Sequence, residues 1–175
     1  MPDKRFLSLL LLIALSGGYG VHALTARENP FPPSPMVGEK APRFSLAAAV
    51  TTRPGLGSAN LSDGQPKLLN IFASWCLPCQ AEAPQLQKMA DAGYRIDGIA
   101  TRDSGSGVAR FINRHGNPYA RIGLDPKGIV QRSLRTSGVP ESFVVAGDGT
   151  ILYHHIGDIR AEHVPDLIRK LRSAR

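Results

Sequence analysis

The chain has 175 residues, of which 42% are hydrophobic and 20% charged, with two cysteines and a formal net charge of +7. A chain of this length forms one domain of ordinary size whose core is stable without disulfide staples, and two cysteines exclude a disulfide-rich scaffold. The basic residues are scattered rather than gathered into runs between aromatic residues, so we expect a solvated basic surface and no nucleic-acid binding.

The amino terminus has the pattern of an export signal. Residues 1–5 form a short basic head, expected to stay in the cytoplasm, and residues 6–24 form an apolar segment just long enough to span a bilayer. Glycines weaken its second half, and the small residues of Val21-His22-Ala23 suit a cleavage site, so cleavage after Ala23 is the alternative to a retained signal anchor. No cysteine lies near the segment, which excludes a lipoprotein. We favour a single-pass anchor in the inner membrane, with the domain in the periplasm.

The next part of the chain is predicted as a stalk followed by a strand, a loop, a strand and a helix. Residues 25–36 are rich in proline, which prevents a helix and favours an extended linker, so the domain is predicted over residues 37–175. APRFSLAAAV has the pattern of a strand, and the turn-rich TTRPGLGSANLSDGQP that of a loop. KLLNIFAS is typical of a buried central strand, and helical spacing then runs from Cys76 to Ala92.

The second half alternates strands and helices before a hairpin. YRIDGIA and PYARIGL are predicted strands, VARFINRHG and GIVQRSL are predicted helices, and TRDSGSG is a predicted loop. SFVVA and TILYHHI form a predicted hairpin around Gly147-Asp148-Gly149, and AEHVPDLIRKLRS closes as an amphipathic helix. This order predicts an α/β fold with a mixed central sheet and helices on both faces.

The chemistry is concentrated in WCLPC, which holds both cysteines. Cys76 is predicted at the junction of strand and helix, where the helix amino end favours a thiolate. Cys79 follows one turn later on the same face, close enough for a disulfide, and Pro78 limits the conformations between them. We therefore expect Cys76 to be the exposed nucleophile and Cys79 the sheltered thiol that resolves a mixed disulfide.

Three other roles for the cysteines are less favoured. A zinc site needs about four ligands and there is no second CxxC, whereas a Cu(I) site of two thiolates and a histidine needs only one more residue. A structural disulfide across two residues removes little chain entropy. Histidines available to a metal are His115, His154, His155 and His163, but two adjacent histidines in one strand point to opposite faces. We expect no metal and no cofactor.

The motifs carry a clear resemblance. WCLPC after an apolar strand, with Pro84 beyond it, resembles the active-site helix of the thioredoxin superfamily, and Val139-Pro140 sits where that superfamily has its cis-proline. From about Val37 onward the chain more closely resembles the membrane-anchored DsbE/CcmG group of thiol:disulfide interchange proteins in cytochrome c maturation. The matching stretches are LLNIFASWCLPCQAEAPQL, GNPYARIGLD, SGVPESFVV and GDGTILYHHIGDI.

The resemblance implies a protein disulfide reductase. It would keep the heme-binding cysteines of apocytochrome c, or a thiol carrier that handles them in cytochrome c maturation, in the dithiol state. A transmembrane electron donor of the DsbD/CcdA type would recharge it. We expect a monomer. The residues alone do not set the direction of electron flow, which is inferred from the resemblance and the tether.

Two alternatives to this function are kept. One is a TlpA-like reductant that prepares copper-site cysteines in cytochrome oxidase assembly. The other is a Sco-type copper-binding module, although such proteins usually have three residues between their thiols. A peroxidase is excluded, because Ala73 stands where the peroxiredoxin family has threonine or serine.

The resemblance also implies further site residues. Glu82 and Glu141 match acidic positions of the family, and either is expected to exchange a proton with Cys79 or to oppose its thiolate by charge repulsion. The simpler alternatives are a first-turn carboxylate favoured by the helix dipole for Glu82 and an exposed turn residue for Glu141. Where thioredoxin has a buried aspartate, this chain has Asn70.

Residues flanking the thiols are predicted to contact the substrate. Trp75, the single tryptophan, offers a surface to partner peptides, with simple packing as the alternative. Pro78 lies between the thiols, and Pro140 is expected to border them. The backbone of Val139 is expected to pair with an extended substrate segment as a β-edge does. Asp103, in the loop after YRIDGIA, is assigned a structural role.

Overall fold

The computed structural model describes residues 34–174. The predicted head (1–5), membrane segment (6–24) and residues 25–33 of the proline-rich linker lie outside the described residues, so these domain boundaries stay predictions. Within 34–174, no helix is both long and apolar enough to cross a bilayer.

The amino-terminal part of the domain forms a small sheet of its own. Strands β1 (Ser45–Leu46) and β2 (Leu56–Gly57) pair antiparallel, and a helical turn, α1 (Ser58–Leu61), follows directly. The predicted strand APRFSLAAAV is therefore only two residues long, and the predicted loop contains a strand and a helical turn. Gly55 makes the pairing possible, because a Cβ there would lie 2.5 Å from the carbonyl oxygen of Leu46.

The main sheet is mixed, as predicted. Its five strands are β3 (Lys67–Phe72), β4 (Ile96–Thr101), β5 (Arg121–Asp125), β6 (Glu141–Val145) and β7 (Ile151–Ile156). They lie in the order β5-β4-β3-β6-β7. Strands β3, β4 and β5 are parallel, β6 is antiparallel to β3, and β7 is antiparallel to β6. Every residue of β3 is buried, because this strand is central and both of its faces are covered.

Helices cover both faces of the main sheet. They are α2 (Leu77–Asp91), α3 (Gly105–His115), α4 (Ile129–Ser133) and α5 (Val164–Ser173). Apolar residues of α2, α3 and α5 share one core cluster with Leu68 and Phe72 of β3, while α1 and α4 share the other with Leu69 and Ile71. The predicted α/β fold with a mixed sheet between helical layers is confirmed. Helix α3 begins earlier than predicted because the Ser104 hydroxyl accepts the Gly107 N–H at 3.1 Å.

Candidate active site

The two cysteines form a disulfide at the carboxyl end of the central strand. Cys76 caps the amino end of α2, its Sγ accepts the Cys79 N–H at 3.2 Å, and the two Cα atoms are 5.3 Å apart. Free N–H groups and the helix dipole at this position favour a thiolate when the pair is reduced. The strand-to-helix junction predicted for WCLPC is confirmed.

The disulfide is more buried than the sequence suggested. Cys76 is only 4% exposed and Cys79 1%, so the prediction of an exposed Cys76 is wrong for this oxidised form. The reason is that neighbouring side chains take the outer positions: Trp75 is 58% exposed and Leu77 74%, and Pro78 is also exposed. These three side chains therefore form an apolar rim around the buried sulfur atoms.

The loop after β4 fixes this rim. The indole Nε1 of Trp75 donates to the carbonyl oxygen of Arg102 at 3.0 Å, which orients the exposed ring. Asp103 accepts the N–H of Ser74 at 2.6 Å, the Ser74 hydroxyl at 2.9 Å and the N–H of Ser104 at 2.7 Å. The carboxylate thus links the turn before Cys76 to the start of α3, which agrees with the structural role assigned to Asp103.

A second loop lies beside the cysteines and contains the cis peptide bond Val139-Pro140. Pro140 is buried, and Val139 is half-buried and packs against the core cluster that includes both cysteines. Within residues 34–174, neither the N–H nor the C=O of Val139 has a hydrogen-bond partner. The loop therefore offers one free donor and one free acceptor to an extended peptide.

Glu82 lies in the second turn of α2 and is buried, so the interpretation as a first-turn carboxylate is wrong. Its Oε2 accepts the backbone N–H of Ile159 and its Oε1 accepts the side-chain amide of Asn70, both at 2.9 Å. Burial raises the pKa of Glu82 to about 7, against the opposing effect of these two hydrogen bonds. A carboxyl group with this pKa both takes up and releases a proton near neutral pH.

Asn70 connects Glu82 to two groups that the sequence analysis did not identify. Its side-chain amide also donates to the Ser142 hydroxyl at 3.0 Å, and its Oδ1 accepts the Tyr119 hydroxyl at 2.8 Å. Burial, with a further contribution from Glu82, raises the pKa of Tyr119 well above its usual value, so the phenol remains a hydrogen-bond donor. The sequence signal for this network was Asn70 itself, a polar residue in the otherwise apolar core of KLLNIF.

Glu141 holds the loop that contains the cis bond. Its Oε1 accepts the N–H of Ser137 at 2.8 Å, the Ser137 hydroxyl at 2.5 Å and the N–H of Gly138 at 2.9 Å, and its Oε2 lies 2.7 Å from Nε2 of His154. Burial favours the neutral acid, but the hydrogen bonds from His154, Ser137 and Gly138 lower the pKa of Glu141 below its usual value. The interpretation of Glu141 as an exposed turn residue is wrong.

The two carboxylates lie on opposite faces of the sheet. Adjacent residues of a strand point to opposite faces, and Ser142 joins the Asn70 network on the face covered by α2. Glu141 is therefore directed to the other face, whereas Glu82 and Cys79 lie one turn apart on the buried side of α2. This arrangement favours Glu82 over Glu141 as the group that exchanges a proton with Cys79.

The histidines do not join the cysteines. His154 is bonded to Glu141, and Nε2 of His155 lies 3.2 Å from the carbonyl oxygen of Asp158. In the part of the chain that the structure describes, no three His, Cys, Asp or Glu side chains are grouped to hold a metal ion. The arrangement supports thiol exchange rather than a copper site completed by His154.

A disulfide at a helix amino end, beside a cis-proline loop and above a buried carboxyl group, defines a thioredoxin-like thiol:disulfide oxidoreductase. The sequence model of the Redoxin family matches residues 36–171. The thiol:disulfide interchange protein DsbE of Yersinia pestis is 34% identical, with 88% of this chain and 84% of that protein aligned. The interchange protein CycY of Rhizobium leguminosarum bv. viciae is 40% identical, with 71% of this chain and 67% of that protein aligned.

A solved structure gives the same result. A Chlorobium tepidum protein described as a thiol:disulfide interchange protein DsbE superposes with a TM-score of 0.66 at 26% identity, covering 79% of this chain and 96% of that one. The chain therefore belongs to the Redoxin family, as a thiol:disulfide interchange protein with DsbE and CycY homologues.

Proposed function

We propose that this chain is a membrane-tethered periplasmic reductant in cytochrome c maturation. Its substrate is a disulfide formed by the heme-binding cysteines of apocytochrome c, or by a thiol carrier that handles them, and a donor of the DsbD/CcdA type restores its dithiol. The observation that carries the reductase chemistry is the Cys76–Cys79 pair capping α2 with Glu82 buried on the same helix face. The similarity to DsbE proteins over most of the chain supports the pathway.

The reaction follows from this geometry in two displacements. The Cys76 thiolate attacks one sulfur of the substrate disulfide, a mixed disulfide forms, and the first substrate thiolate leaves. Cys79 then gives its proton to the Glu82 carboxylate and attacks Sγ of Cys76, which releases the second substrate thiolate. Two electrons pass to the substrate, and the chain is left with the Cys76–Cys79 disulfide seen in the structure.

Substrate positioning is assigned to the surface around the disulfide. The free N–H and C=O of Val139 pair with the backbone of an extended substrate segment, and Trp75 and Pro78 contact its side chains. Pro140 places Val139 beside the cysteines. Because the segment is held by its backbone, several partners with unrelated sequences can use the same surface.

The cellular location is inferred from the amino terminus. The basic head (1–5), the apolar segment (6–24) and the proline-rich linker (25–36) support a single-pass inner-membrane protein whose domain faces the periplasm. A tether keeps the domain near both a membrane-bound electron donor and the apocytochromes that emerge at the same membrane.

Replacement of the resolving cysteine tests the proposed function. Cys79→Ser is expected to accumulate a covalent complex with an apocytochrome c or its thiol carrier, since the mixed disulfide at Cys76 has no internal thiol to release it. The complex is identified by mass spectrometry after non-reducing electrophoresis and disappears when a reductant is added. The double variant Cys76→Ser/Cys79→Ser is the matched control and forms no complex.

The identity of the captured proteins decides between the proposed pathway and its alternatives. Capture of oxidase copper-site assembly factors, with oxidase activity lost and c-type cytochromes intact in a deletion strain, replaces the proposal with the TlpA-like alternative. Capture of unrelated oxidised envelope proteins alone refutes the pathway but not the chemistry. Thiol labelling in cells gives the direction of electron flow, because a mostly reduced Cys76/Cys79 pair in an oxidising compartment requires a supply of electrons.

A further inference from the structure

A cleft opens between the two loops that flank the disulfide. It has a volume of about 300 Å³ and is lined by Trp75 and Arg102 of the first loop, by residues 136–139 of the second, and by Gln131 and Arg132 of α4. None of its lining residues is acidic. Because Val139 belongs to both the cleft and the proposed peptide-binding edge, side chains next to a bound substrate cysteine reach this cleft.

The two arginines of the cleft, Arg102 and Arg132, both contact the turn at residues 127–128. In the chain between β5 and α4, Gly128 has φ +64, and a Cβ there would lie 3.0 Å from Nε of Arg102, so glycine leaves room for the arginine side chain. A guanidinium nitrogen of Arg132 donates to the carbonyl oxygen of Lys127 at 2.9 Å. Both arginines are exposed, and within residues 34–174 neither forms an ion pair.

The backbone conformation of Arg102 sets the direction of its side chain. Its φ is 48, in the left-handed region that glycine or asparagine adopts at lower cost. In this conformation the Arg102 carbonyl oxygen accepts the hydrogen bond from Trp75, and the Arg102 side chain lies against Gly128. The backbone thus holds the Arg102 carbonyl oxygen at the Trp75 ring and the Arg102 side chain beside the turn at Gly128.

The nearby carboxylates are not available to these arginines. Asp103 is bonded to Ser74 and Ser104, and buried Asp125 accepts the N–H groups of Ile129 and Gln131 at 2.8 and 2.9 Å. The positive charge at the cleft is therefore left for a partner to neutralise.

We infer that this cleft selects substrates with an acidic residue next to the reactive cysteine, whose carboxylate binds Arg102 and Arg132 while its backbone pairs with Val139. This inference rests on the proposed function and adds a substrate preference to it. The disulfide exchange itself is unchanged: the carboxylate positions the substrate and takes no part in electron transfer.

The test uses the reduced full-length chain in detergent and three synthetic peptides, each with one internal disulfide. The peptides differ only in the residue before the attacked cysteine, which is Glu, Gln or Lys, and stopped-flow records the fluorescence of Trp75 as the disulfide forms. At low salt we expect the Glu peptide to react about fivefold faster than the Gln peptide, the upper range for an exposed ion pair, and the Lys peptide to react slowest. Added salt lowers the ratio.

Matched variants locate the effect. Arg102→Gln and Arg132→Gln are expected to bring the Glu-to-Gln ratio towards one, whereas Arg114→Gln, an exposed arginine in the last turn of α3, keeps it. Equal rates for the Glu and Gln peptides with the wild-type chain, or an equal loss of the ratio in Arg114→Gln, overturn the inference. Reduction of all three peptides supports the reductase whatever the ratio, and reduction of none overturns both proposals.

Discussion

Replacing Glu82 by glutamine is expected to make the protein increasingly stable relative to wild type as the pH rises. The same replacement is expected to slow disulfide reduction. The folded-state pKa of Glu82, about 7, lies above the ordinary value of 4.5, so the folded chain binds the extra proton between these two values. Stability from this group is present below pH 4.5 and falls as the pH rises to about 7. The loss is on the order of 3 kcal/mol by pH 8, since one pKa unit corresponds to about 1.4 kcal/mol.

Urea unfolding of the oxidised protein measures this effect. Between pH 4 and pH 8 the difference in unfolding free energy between Glu82→Gln and wild type is expected to move by about 3 kcal/mol in favour of the variant. Comparing two pH values removes any constant cost of fitting the glutamine amide against Asn70. Asp91→Asn, which changes an exposed carboxylate on the same helix, is the control and is expected to show no such movement.

The same variant tests the proton-transfer role. Loss of a general base slows the step it serves by about 100-fold or more, so the mixed disulfide at Cys76 should persist correspondingly longer in Glu82→Gln near neutral pH. Rapid quenching with acid and electrophoresis measure its lifetime. A lifetime equal to that of wild type, together with the expected change in stability, would show that Glu82 is buried there without handling the proton.

Replacing Glu141 by alanine is expected to lower the unfolding free energy by roughly 2–4 kcal/mol, because each buried group left without its hydrogen-bond partner costs about 1–3 kcal/mol. The variant leaves the N–H groups of Ser137 and Gly138 without their acceptor and His154 buried without its carboxylate. The pKa of Glu141 is lowered in the folded chain, so its stabilisation is present above the ordinary value of 4.5 and is lost as the pH falls through the folded value.

Two measurements distinguish this anchoring role from a general loss of packing. Amide hydrogen exchange at Ser137 and Gly138 should accelerate more in Glu141→Ala than exchange in the central strand β3, because the loop loses its anchor first. Glu39→Ala, at an exposed glutamate, is the matched control and is expected to change stability little. Unchanged exchange in the loop would contradict the role assigned to Glu141.

Much of this architecture follows from local sequence patterns. The apolar run KLLNIF, the helical spacing after Cys76 and the glycine-rich turn at 147–149 each depend on neighbouring residues, and each appears in the predicted element. The redox pair could also be predicted from the sequence, because a CxxC between a strand and a helix is typical of thiol–disulfide exchange. Strand β2 was missed because it is only two residues long and exists through its pairing with β1, and helix α1 because it is a single turn within a glycine-rich stretch.

The surroundings of Glu82 and Glu141 could not be predicted from the sequence in the same way. Glu82, Asn70 and Tyr119 come from a helix, a strand and the segment before β5, and only the folded sheet brings their side chains together. The burial of Cys76 depends on how Trp75 and Leu77 are placed in three dimensions. The resemblance to the DsbE/CcmG group offered Glu82 and Glu141 as alternative candidates, whereas their environments give them opposite pKa shifts.

Neighbouring residues of one short strand serve both environments. In β6, Ser142 joins the network of Glu82 on one face of the sheet, while Glu141 anchors the loop of the cis peptide bond on the other. A slip of this strand by a single residue would exchange its two faces, and the Glu82 network and the anchor of the cis-proline loop would be lost together. We therefore expect an insertion between α4 and β6 to preserve both environments only where it leaves the pairing of β6 with β3 in register.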